Sequence, residues 1–382
     1  MRRTLEKGAI LSLSLLLTST YSVSTVIPSM VSYYEGYDLS RIEQMVSVTS
    51  MAIMVIVLLN PWVSRFISER VSIVTGLLLL SAGGVVPVFV QDYWAVYTGR
   101  LVLGAGIGLV NVYAIDIINS RFDGEERSTL LGYRGSSEIV GNTALTLIVG
   151  QILGAGLDWK YCFLIYLAGI PVLLCYLLFV PGGEKKRSAP ESPASVWNKN
   201  MMKQIGKGFL SCGCYGALFI GINSSTTMRI PSLVLEKGVG TEVQASLITG
   251  LMMAAGIAAG IIFGNLAQML KGRLQKTGLI VFGAGMALMA AAGNIWLLGL
   301  GAVVAGLSFS ILIVSVFDQI PEKFPPGAAT IGTTCTLVGC NLGAGLSPYA
   351  LKLIDLVNDR MYMSFAVFAA VVIVLGIFKR ED

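Results

Sequence analysis

Arg134 and Glu138 lie four residues apart within a long apolar stretch of the chain, where charged side chains are costly. Residues at this spacing share one face of a helix, so the guanidinium and the carboxylate can form an ion pair. An apolar environment favours a protonated carboxyl group, whereas a nearby cation favours the ionised form. We therefore expect Glu138 to alternate between a protonated form and a form paired with Arg134 or Arg100, as a proton-coupling site requires. A permanent Arg134–Glu138 pair that only orders its helix is the alternative interpretation.

The composition of the chain predicts the elements that hold these charges. Of its 382 residues, 54% are apolar and 13% are charged, whereas an average soluble domain carries roughly 25% charged residues. A helix that crosses a bilayer needs about 20 apolar residues, and continuous apolar runs favour helices over a barrel. We therefore predict an all-α polytopic membrane protein with twelve transmembrane helices. The predicted spans cover residues 8–32, 43–63, 71–91, 94–119, 128–153, 160–181, 207–229, 243–270, 276–292, 294–318, 326–350 and 361–379.

Lysine and arginine are unevenly distributed over the predicted loops. With the N-terminus inside, the internal segments hold 19 of these residues and the external segments hold 6. The positive-inside rule then predicts that both termini are cytoplasmic. The one long polar interruption is rich in Pro, Gly, Ser and charge, which is typical of a flexible linker. It divides the chain into an N-terminal six-helix bundle (1–181), a cytoplasmic linker (182–206) and a C-terminal six-helix bundle (207–382).

Two short sequence echoes relate the two halves. Ile27-Pro28-Ser29-x-Val31 returns as Ile230-Pro231-Ser232-x-Val234, at the outer ends of the first and seventh spans. "SSEIVGN" (136–142) returns as "TCTLVGC" (334–340) in the fifth and eleventh spans. Matches at corresponding spans favour a parallel duplication and hence two pseudo-symmetric bundles.

Six plus six helices with a central linker resemble the major facilitator superfamily, and the resemblance covers the whole chain. In the fourth span, Arg100, Gly104, Gly106 and Gly108 match the R-x-x-x-G-x-G-x-G pattern of the drug/proton antiporter branch of that family. In the loop "PWVSRFISER", Arg70 matches the last basic residue of the family's gating motif, but the acidic residue and a glycine of that motif are replaced. The antiporter motif of the fifth span is also degenerate. The resemblance implies the twelve-helix fold of the superfamily and transport by alternating access.

The resemblance also implies which polar residues face a central cavity, because the first, fourth, seventh and tenth spans line it in the superfamily. Each candidate could equally form a hydrogen bond between helices. The candidate substrate-cavity residues on these spans are Tyr21, Asn111, Tyr113, Tyr215 and Asn223, and Asn142 of the fifth span is a further candidate.

Three further charges could act at the ends of the spans. Asp116 and Asp318 lie near the inner ends of the fourth and tenth spans and are gating candidates together with Arg70, although pairing with loop cations such as Arg121 is the simpler interpretation. We expect Arg229 to extend to the outer surface; attraction of anionic solutes is its alternative role.

These observations predict a secondary active transporter that moves a small organic molecule by alternating access. We expect proton coupling through Glu138, with export slightly favoured by the motif of the fourth span. Uptake or exchange of a small organic anion is the alternative, supported by Arg100, Arg134 and Arg229. Lipid or glycolipid translocation on the same fold is a third possibility, and a sensor without transport is a fourth.

Other classes of protein lack support in the sequence. There is no His/Asp/Glu or Ser/Lys constellation of a membrane enzyme and no G-x-x-x-x-G-K-[ST] phosphate loop of a primary pump. Histidine is absent, and the six cysteines form no C-x-x-C pair, so we expect neither a zinc site nor a disulfide framework. We expect no cofactor, a proton gradient as the energy source, and no nucleic-acid partner. The small organic substrate and the lipid bilayer are the expected partners of a monomer in a prokaryotic cytoplasmic membrane.

Overall fold

The computed structural model describes residues 2–181, 206, 208–320 and 329–379 of the 382-residue chain. The predicted linker, residues 182–206, lies outside the described residues except for Gly206. The described secondary structure is helical throughout.

The N-terminal half contains seven α-helices that build six spans. They are α1 (Arg2–Ser14), α2 (Ile27–Tyr33), α3 (Leu39–Phe66), α4 (Glu69–Phe89), α5 (Tyr93–Arg121), α6 (Gly124–Gly154) and α7 (Gly169–Phe179). The first span is broken, because α1 and α2 are joined by 3₁₀ turns at Ser19–Tyr21 and Ser24–Val26. Its two parts meet at a bend of 47°. A 3₁₀ segment, Trp159–Ala168, leads directly into α7 and completes the sixth span.

The described C-terminal half contains six α-helices, one for each predicted span. They are α8 (Cys214–Glu236), α9 (Glu242–Leu270), α10 (Leu274–Ala291), α11 (Ile295–Asp318), α12 (Ala329–Asp355) and α13 (Met361–Phe378). A π-helical turn, Phe209–Gly213, precedes α8. The seventh span is continuous through Pro231, whereas the first span is broken before Pro28.

The helices differ in how apolar they are, and three long helices are more polar than the others. Among the described residues, eight helices are long and apolar enough to cross a membrane, and the bent first span makes a ninth. The helices α6, α8 and α12 are also long, at 31, 23 and 27 residues, but carry more charged and hydroxyl side chains. Polar residues within a spanning helix normally face the bundle interior or a water-filled cavity, so these three helices are the ones expected to line a path.

The two halves repeat the same packing. In the N-terminal half, α5 packs on α3 and α4; in the C-terminal half, α11 packs on α9 and α10. The halves meet along two lines, where α3 contacts α12 and α6 contacts α9. This arrangement is the two-bundle architecture predicted from the sequence.

The second sequence echo has a physical role that is the same in both halves. A side chain at Gly141 of α6 would collide with the backbone carbonyl of Leu15 in the first span. A side chain at Gly339 of α12 would collide with the carbonyl of Gly213 in the seventh span. Both glycines thus allow close approach of two helix backbones, and they occupy corresponding positions of the two echoes.

An even number of spans brings both ends of the described chain, Arg2 and Lys379, to one face of the bundle. We call this the terminal face and the opposite one the far face. The α3–α12 and α6–α9 contacts close the bundle toward the far face, as the next section details.

Candidate functional site

Hydrogen bonds between the two halves are concentrated in the part of each helix nearest the far face. Ser47 Oγ of α3 donates to Gly345 O of α12 over 3.4 Å, and Ser246 Oγ of α9 donates to Thr146 O of α6 over 2.5 Å. Ser29 Oγ of α2 donates to Glu242 Oε1 over 3.1 Å. These bonds join the halves on both lines of contact.

Toward the terminal face the same helices separate. In α9, the described residues beyond Ala259 are all at least partly exposed, whereas most of those between Ala245 and Gly250 are buried. The helix α6 shows a similar gradient, because Leu130 is its one buried residue among the described residues before Gly141, whereas six residues from Gly141 to Gly154 are buried. The space between the halves is therefore open to the terminal face and closed to the far face.

Arg134 and Glu138 lie near the middle of α6 and are both partly exposed. Arg134 Nη2 is 2.7 Å from Glu138 Oε1, and the two side chains are 15% and 21% exposed. The same nitrogen donates to Asn111 Oδ1 of α5 over 2.9 Å. The Nε–H of Arg134 is buried and has no hydrogen-bond partner among the described residues. The cluster thus offers one positive charge with a free donor beside one carboxylate that water can reach.

The broken first span packs directly on this cluster. Thr18 Oγ1 donates to the backbone oxygen of Glu138 over 3.0 Å. Ser22 Oγ donates to Asn142 Oδ1 over 2.6 Å, one turn further along α6. Asn142 therefore holds a hydroxyl group of the first span, which is the interhelical alternative considered for it.

Arg100 lies elsewhere, and this corrects the expectation that it could pair with Glu138. Its side chain is 1% exposed and bonded to neutral acceptors. Nη1 donates to the Tyr166 hydroxyl over 2.7 Å, and Nη2 donates to the carbonyl of Thr20 over 2.7 Å. Nε and Nη2 also donate to the carbonyls of Met45 and Val46, each over 3.2 Å.

The contacts of Arg100 explain how the broken span is tolerated. A break in a membrane helix frees backbone carbonyls that lipid cannot satisfy. Arg100 satisfies Thr20 O, and the Tyr166 hydroxyl donates to Ser19 O over 3.1 Å. Arg100 therefore ties the first, second, fourth and sixth spans together.

Arg229 also departs from the expectation, because it is fully buried instead of extending to the outer surface. It forms ion pairs with Glu43 of α3, which lies in the other half, and with Asp355 at the end of α12. The bonds to Asp355 Oδ1 and Oδ2 measure 3.0 and 2.6 Å. Glu43 is also fully buried. A charge network thus joins the two halves near the far face.

Sequence reasoning missed Glu43 and Asp355, and the reason is visible in the helix boundaries. The predicted second span begins at Glu43, the seventh ends at Arg229 and the eleventh ends at residue 350, before Asp355. In the structure α3 begins at Leu39, α8 continues to Glu236 and α12 continues to Asp355. Arg229 pairs with both carboxylates, so the helices do not have to end where these charges occur. The available signal was a charged residue at the outer end of the second and of the seventh predicted span, and another shortly after the outer end of the eleventh.

The remaining cavity candidates lie in different surroundings. The Tyr21 hydroxyl lies 3.2 Å from Ser50 Oγ and donates to Ala344 O of the other half over 3.3 Å. Tyr113 is buried, whereas Asn223 is partly exposed on α8. Tyr215 packs 5.7 Å from Phe219 and lies beneath the Lys379 ammonium, which places it near the terminal face. Among the described cavity candidates, Asn111 accepts a hydrogen bond from Arg134.

The candidate gating charges lie toward the terminal face. Asp116 and Arg70 are partly exposed, and Asp318 is exposed at the end of α11. Arg121 pairs with Glu6 over 2.9 Å. Arg3 and Lys7 pair with Glu126 over 2.7 and 2.6 Å. These ion pairs bind α1 to α5 and α6 within one half.

A cavity of about 550 Å³ lies between the terminal-face ends of α1 and α6. Its lining includes Lys7, Glu126 and Tyr133, the residue before Arg134. The hydrogen bond from Lys7 lowers the pKa of Glu126, so this carboxyl group stays ionised at neutral pH. The six cysteines are free thiols, and Cys162, Cys212 and Cys340 are buried.

Comparison with known proteins adds sequence and fold relationships. A family model described as Major Facilitator Superfamily matches residues 9–348. The cyanate transport protein CynX of Escherichia coli (strain K12) is 23% identical over 328 residues, which cover 84% of this chain and 82% of CynX.

Several solved structures share the fold. A point mutant of the nucleoside transporter NupG superposes with a TM-score of 0.78 at 16% identity, covering 98% of this chain and 100% of that chain. A POT family transporter in complex with a thioalcohol-conjugated peptide gives a TM-score of 0.78 at 12% identity, with 98% and 95% covered. The xylose transporter XylE from E. coli, in an inward open conformation, gives 0.75 at 15% identity, with 100% and 97% covered. At these identities the likeness concerns the fold.

Proposed function

The chain belongs to the Major Facilitator Superfamily, and from this premise we propose that it carries a small organic anion together with a proton by alternating access. It is a multi-pass membrane transporter and not an enzyme. The single observation that carries the proposal is the Arg134–Glu138 pair, whose side chains are partly exposed and whose buried Arg134 Nε–H has no hydrogen-bond partner among the described residues. The similarity to a cyanate transport protein supports an anionic substrate.

The proposed coupling follows from charge balance at this pair. While Glu138 is ionised, it neutralises Arg134 and competes with any anion for the guanidinium. Protonation of Glu138 removes this competition and leaves Arg134 as the counter-ion of the substrate. Proton and monovalent anion therefore bind together, and the loaded site has the same net charge as the empty one. Glu138 is the proton site, and Arg134 and Asn111 hold the anion.

We assign the terminal face to the cytoplasm because the expected internal segments carry 19 of the lysines and arginines against 6 outside. On this assignment the structure is inward-facing. The cycle then requires the hydrogen bonds at the far face to break while the terminal-face ends of α3, α6, α9 and α12 approach one another.

A matched set of variants in proteoliposomes tests the proposal, with labelled cyanate as the first probe and protein-free liposomes as the leak control. Arg134→Gln should lose both net uptake and exchange, because the anion loses its counter-ion. Glu138→Gln should keep exchange but lose uptake driven by a pH gradient. Arg127→Gln and Glu125→Gln, at exposed positions of the same helix, should behave as the wild type. Unchanged proton dependence in Glu138→Gln would refute the coupling role.

Proton-driven export of a neutral organic molecule is the second candidate, favoured by the glycine and arginine pattern of α5. The membrane potential separates the two. Coupled movement of one proton with one monovalent anion transfers no net charge, so a potential set with valinomycin should leave the rate unchanged. Exchange of one proton for a neutral molecule moves one charge and would respond by about 2.3 kcal/mol per 100 mV. A voltage-dependent cycle would therefore favour export.

A further inference from the structure

Arg229 has no remaining donor in the closed far face, and its partners divide between the two halves. A guanidinium carries five N–H groups. Nε and Nη2 bind the two oxygens of Glu43, and Nη1 and Nη2 bind the two oxygens of Asp355. The fifth N–H, on Nη1, points to Met361 Sδ at 3.3 Å. All five donors are thus engaged.

These partners would respond differently to opening of the far face. Asp355 and Met361 lie on α12 and α13, in the same half as Arg229, and the two halves of such transporters move largely as rigid bodies. Asp355 therefore stays with Arg229 throughout the cycle. Glu43 lies on α3 of the other half and must leave. Its departure uncovers one edge of the guanidinium, formed by Nε–H and one Nη2–H.

The uncovered edge has the geometry that recognises an oxyanion. Two parallel N–H groups of arginine match the two oxygens of a carboxylate in a bidentate pair. Glu43 makes such a contact in the closed state through Oε1 and Oε2. Asp355 holds the other side of Arg229 and fixes the direction in which the free edge points. The site is therefore prepared in advance, because its orientation does not depend on the ligand.

We propose that Arg229 is the anion-recognition site of the far face and that Glu43 occupies this site as an internal substitute for the anion whenever the face is closed. The ligand class is a small carboxylate or a similar flat monoanion. An external anion can bind only after Glu43 leaves, so it stabilises the open form and shifts the population toward it. This inference rests on the proposed anionic substrate and adds a site of first contact to the one at Arg134.

Other charged groups near Glu43 do not offer the same edge. Asp355 shares Arg229 with it from α12. On α5, Arg100 is bound to the carbonyls of Met45 and Val46, one turn away. Arg41 precedes Glu43 on α3, but its guanidinium lies over the ring of Tyr37. Arg229 is the cation that Glu43 contacts.

The first test is chemical rescue of the full-length purified protein. Glu43→Ala should lower the midpoint of thermal unfolding, and formate should restore it in a saturable way by filling the vacated position. The wild type should need far more formate for the same response, because Glu43 competes for the position, and Glu43→Ala should not respond to chloride at equal ionic strength. The double variant Glu43→Ala/Arg229→Gln should also fail to respond. An equal response in this double variant, or no response in Glu43→Ala, overturns the proposal.

The second test uses the wild-type contact and does not depend on the folding of Glu43→Ala. Spin labels at Glu35→Cys and Val357→Cys, both exposed at the far face, report the separation of the halves after the native cysteines are replaced. Formate or cyanate should lengthen this distance. Arg229→Lys keeps the positive charge but loses the two parallel N–H groups of the guanidinium. The anion concentration required to lengthen the distance should therefore rise about tenfold. The proposal would be contradicted if the anions left the distance between the labels unchanged, or if Arg229→Lys needed no more anion than the wild type.

A third variant separates this inference from the proposed function. Adding Arg134→Gln to Glu43→Ala should leave the formate rescue intact, because the two arginines lie at different depths. If rescue persists while no anion is transported by the wild type, the far-face site stands and the proposed substrate class is wrong. If anions are transported but no rescue occurs, the proposed function stands and the far-face site is wrong.

Discussion

The two fully buried arginines, Arg100 and Arg229, have opposite kinds of partner. Arg100 binds carbonyl and hydroxyl groups, all within the N-terminal half. Arg229 binds two carboxylates, one of which belongs to the other half. Each arginine is the eighth residue from the far-face end of its helix, so burial and depth are similar. The partners indicate the role: Arg100 is a permanent structural element, whereas Arg229 is part of a contact that the transport cycle must break.

The largest effect should follow replacement of Arg100. Arg100→Met leaves the Thr20 carbonyl and the Tyr166 hydroxyl without the donor that Arg100 supplies, and it removes the second donor of two helix carbonyls, so we expect the free energy of unfolding to fall by about 4 kcal/mol. Unfolding in a titration with denaturing detergent measures the loss. Stability equal to that of the wild type would contradict the role assigned to Arg100.

Replacement of Arg229 should cost less, about 3 kcal/mol, because opening of the far face lets water reach the two carboxylates. Arg229→Met should therefore also raise the reactivity of Ser47→Cys, a position that is buried between the halves at the closed far face, with a water-soluble thiol reagent. The double variant Glu43→Met/Arg229→Met should recover much of the lost stability, since it removes one of the uncompensated charges. If Arg229→Met keeps the far face closed and is as stable as the wild type, the role assigned to Arg229 is wrong.

The repeated glycines test whether the halves are built alike. Gly141→Ala and Gly339→Ala should each lower the free energy of unfolding by about 2 kcal/mol, because the added methyl group meets a backbone carbonyl of the adjacent span. Gly135→Ala is the matched control, since no atom lies within 4 Å of the added group. This control should be slightly more stable than the wild type. Thermal unfolding in detergent compares the three variants. If Gly141→Ala and Gly339→Ala lose unequal amounts of stability, the two halves share the arrangement of helices but not the packing at these glycines.

The smallest effect is expected at Tyr166. Tyr166→Phe removes one acceptor of Arg100 and one donor to Ser19 O but keeps the ring and the other bonds of the arginine. We expect a loss of about 1 kcal/mol, typical of a single hydrogen-bonded group. Transport should be retained, measured as exchange in proteoliposomes. Loss of exchange with normal stability would mean that the Arg100 cluster takes part in the transport cycle.

The spans could be predicted closely because apolar character is a local property. The eighth span was predicted at 243–270 and the helix is Glu242–Leu270. The Arg134–Glu138 pair was also accessible, because its two residues are one helical turn apart. Membership of the superfamily followed from the repeated helix pattern and is confirmed by the family match over residues 9–348.

The features that could not be predicted depend on contacts between distant parts of the chain. Glu43 and Arg229 are 186 positions apart, and their proximity follows from the way α3 and α8 meet, which no local pattern records. The break in the first span also escaped prediction, since Pro28 lies after it. Its available signal was the run of serine and threonine from Thr18 to Thr25, whose hydroxyl groups compete for backbone hydrogen bonds.

The closure at the far face consists in part of hydroxyl groups bound to backbone oxygens, as with Ser47 on Gly345 and Ser246 on Thr146. A water molecule can replace such a bond as soon as it stretches, so separation can proceed one bond at a time with a modest activation barrier. An apolar interface of the same area would have to expose all its apolar surface to water at once. Osmolytes that lower water activity should consequently slow each turnover.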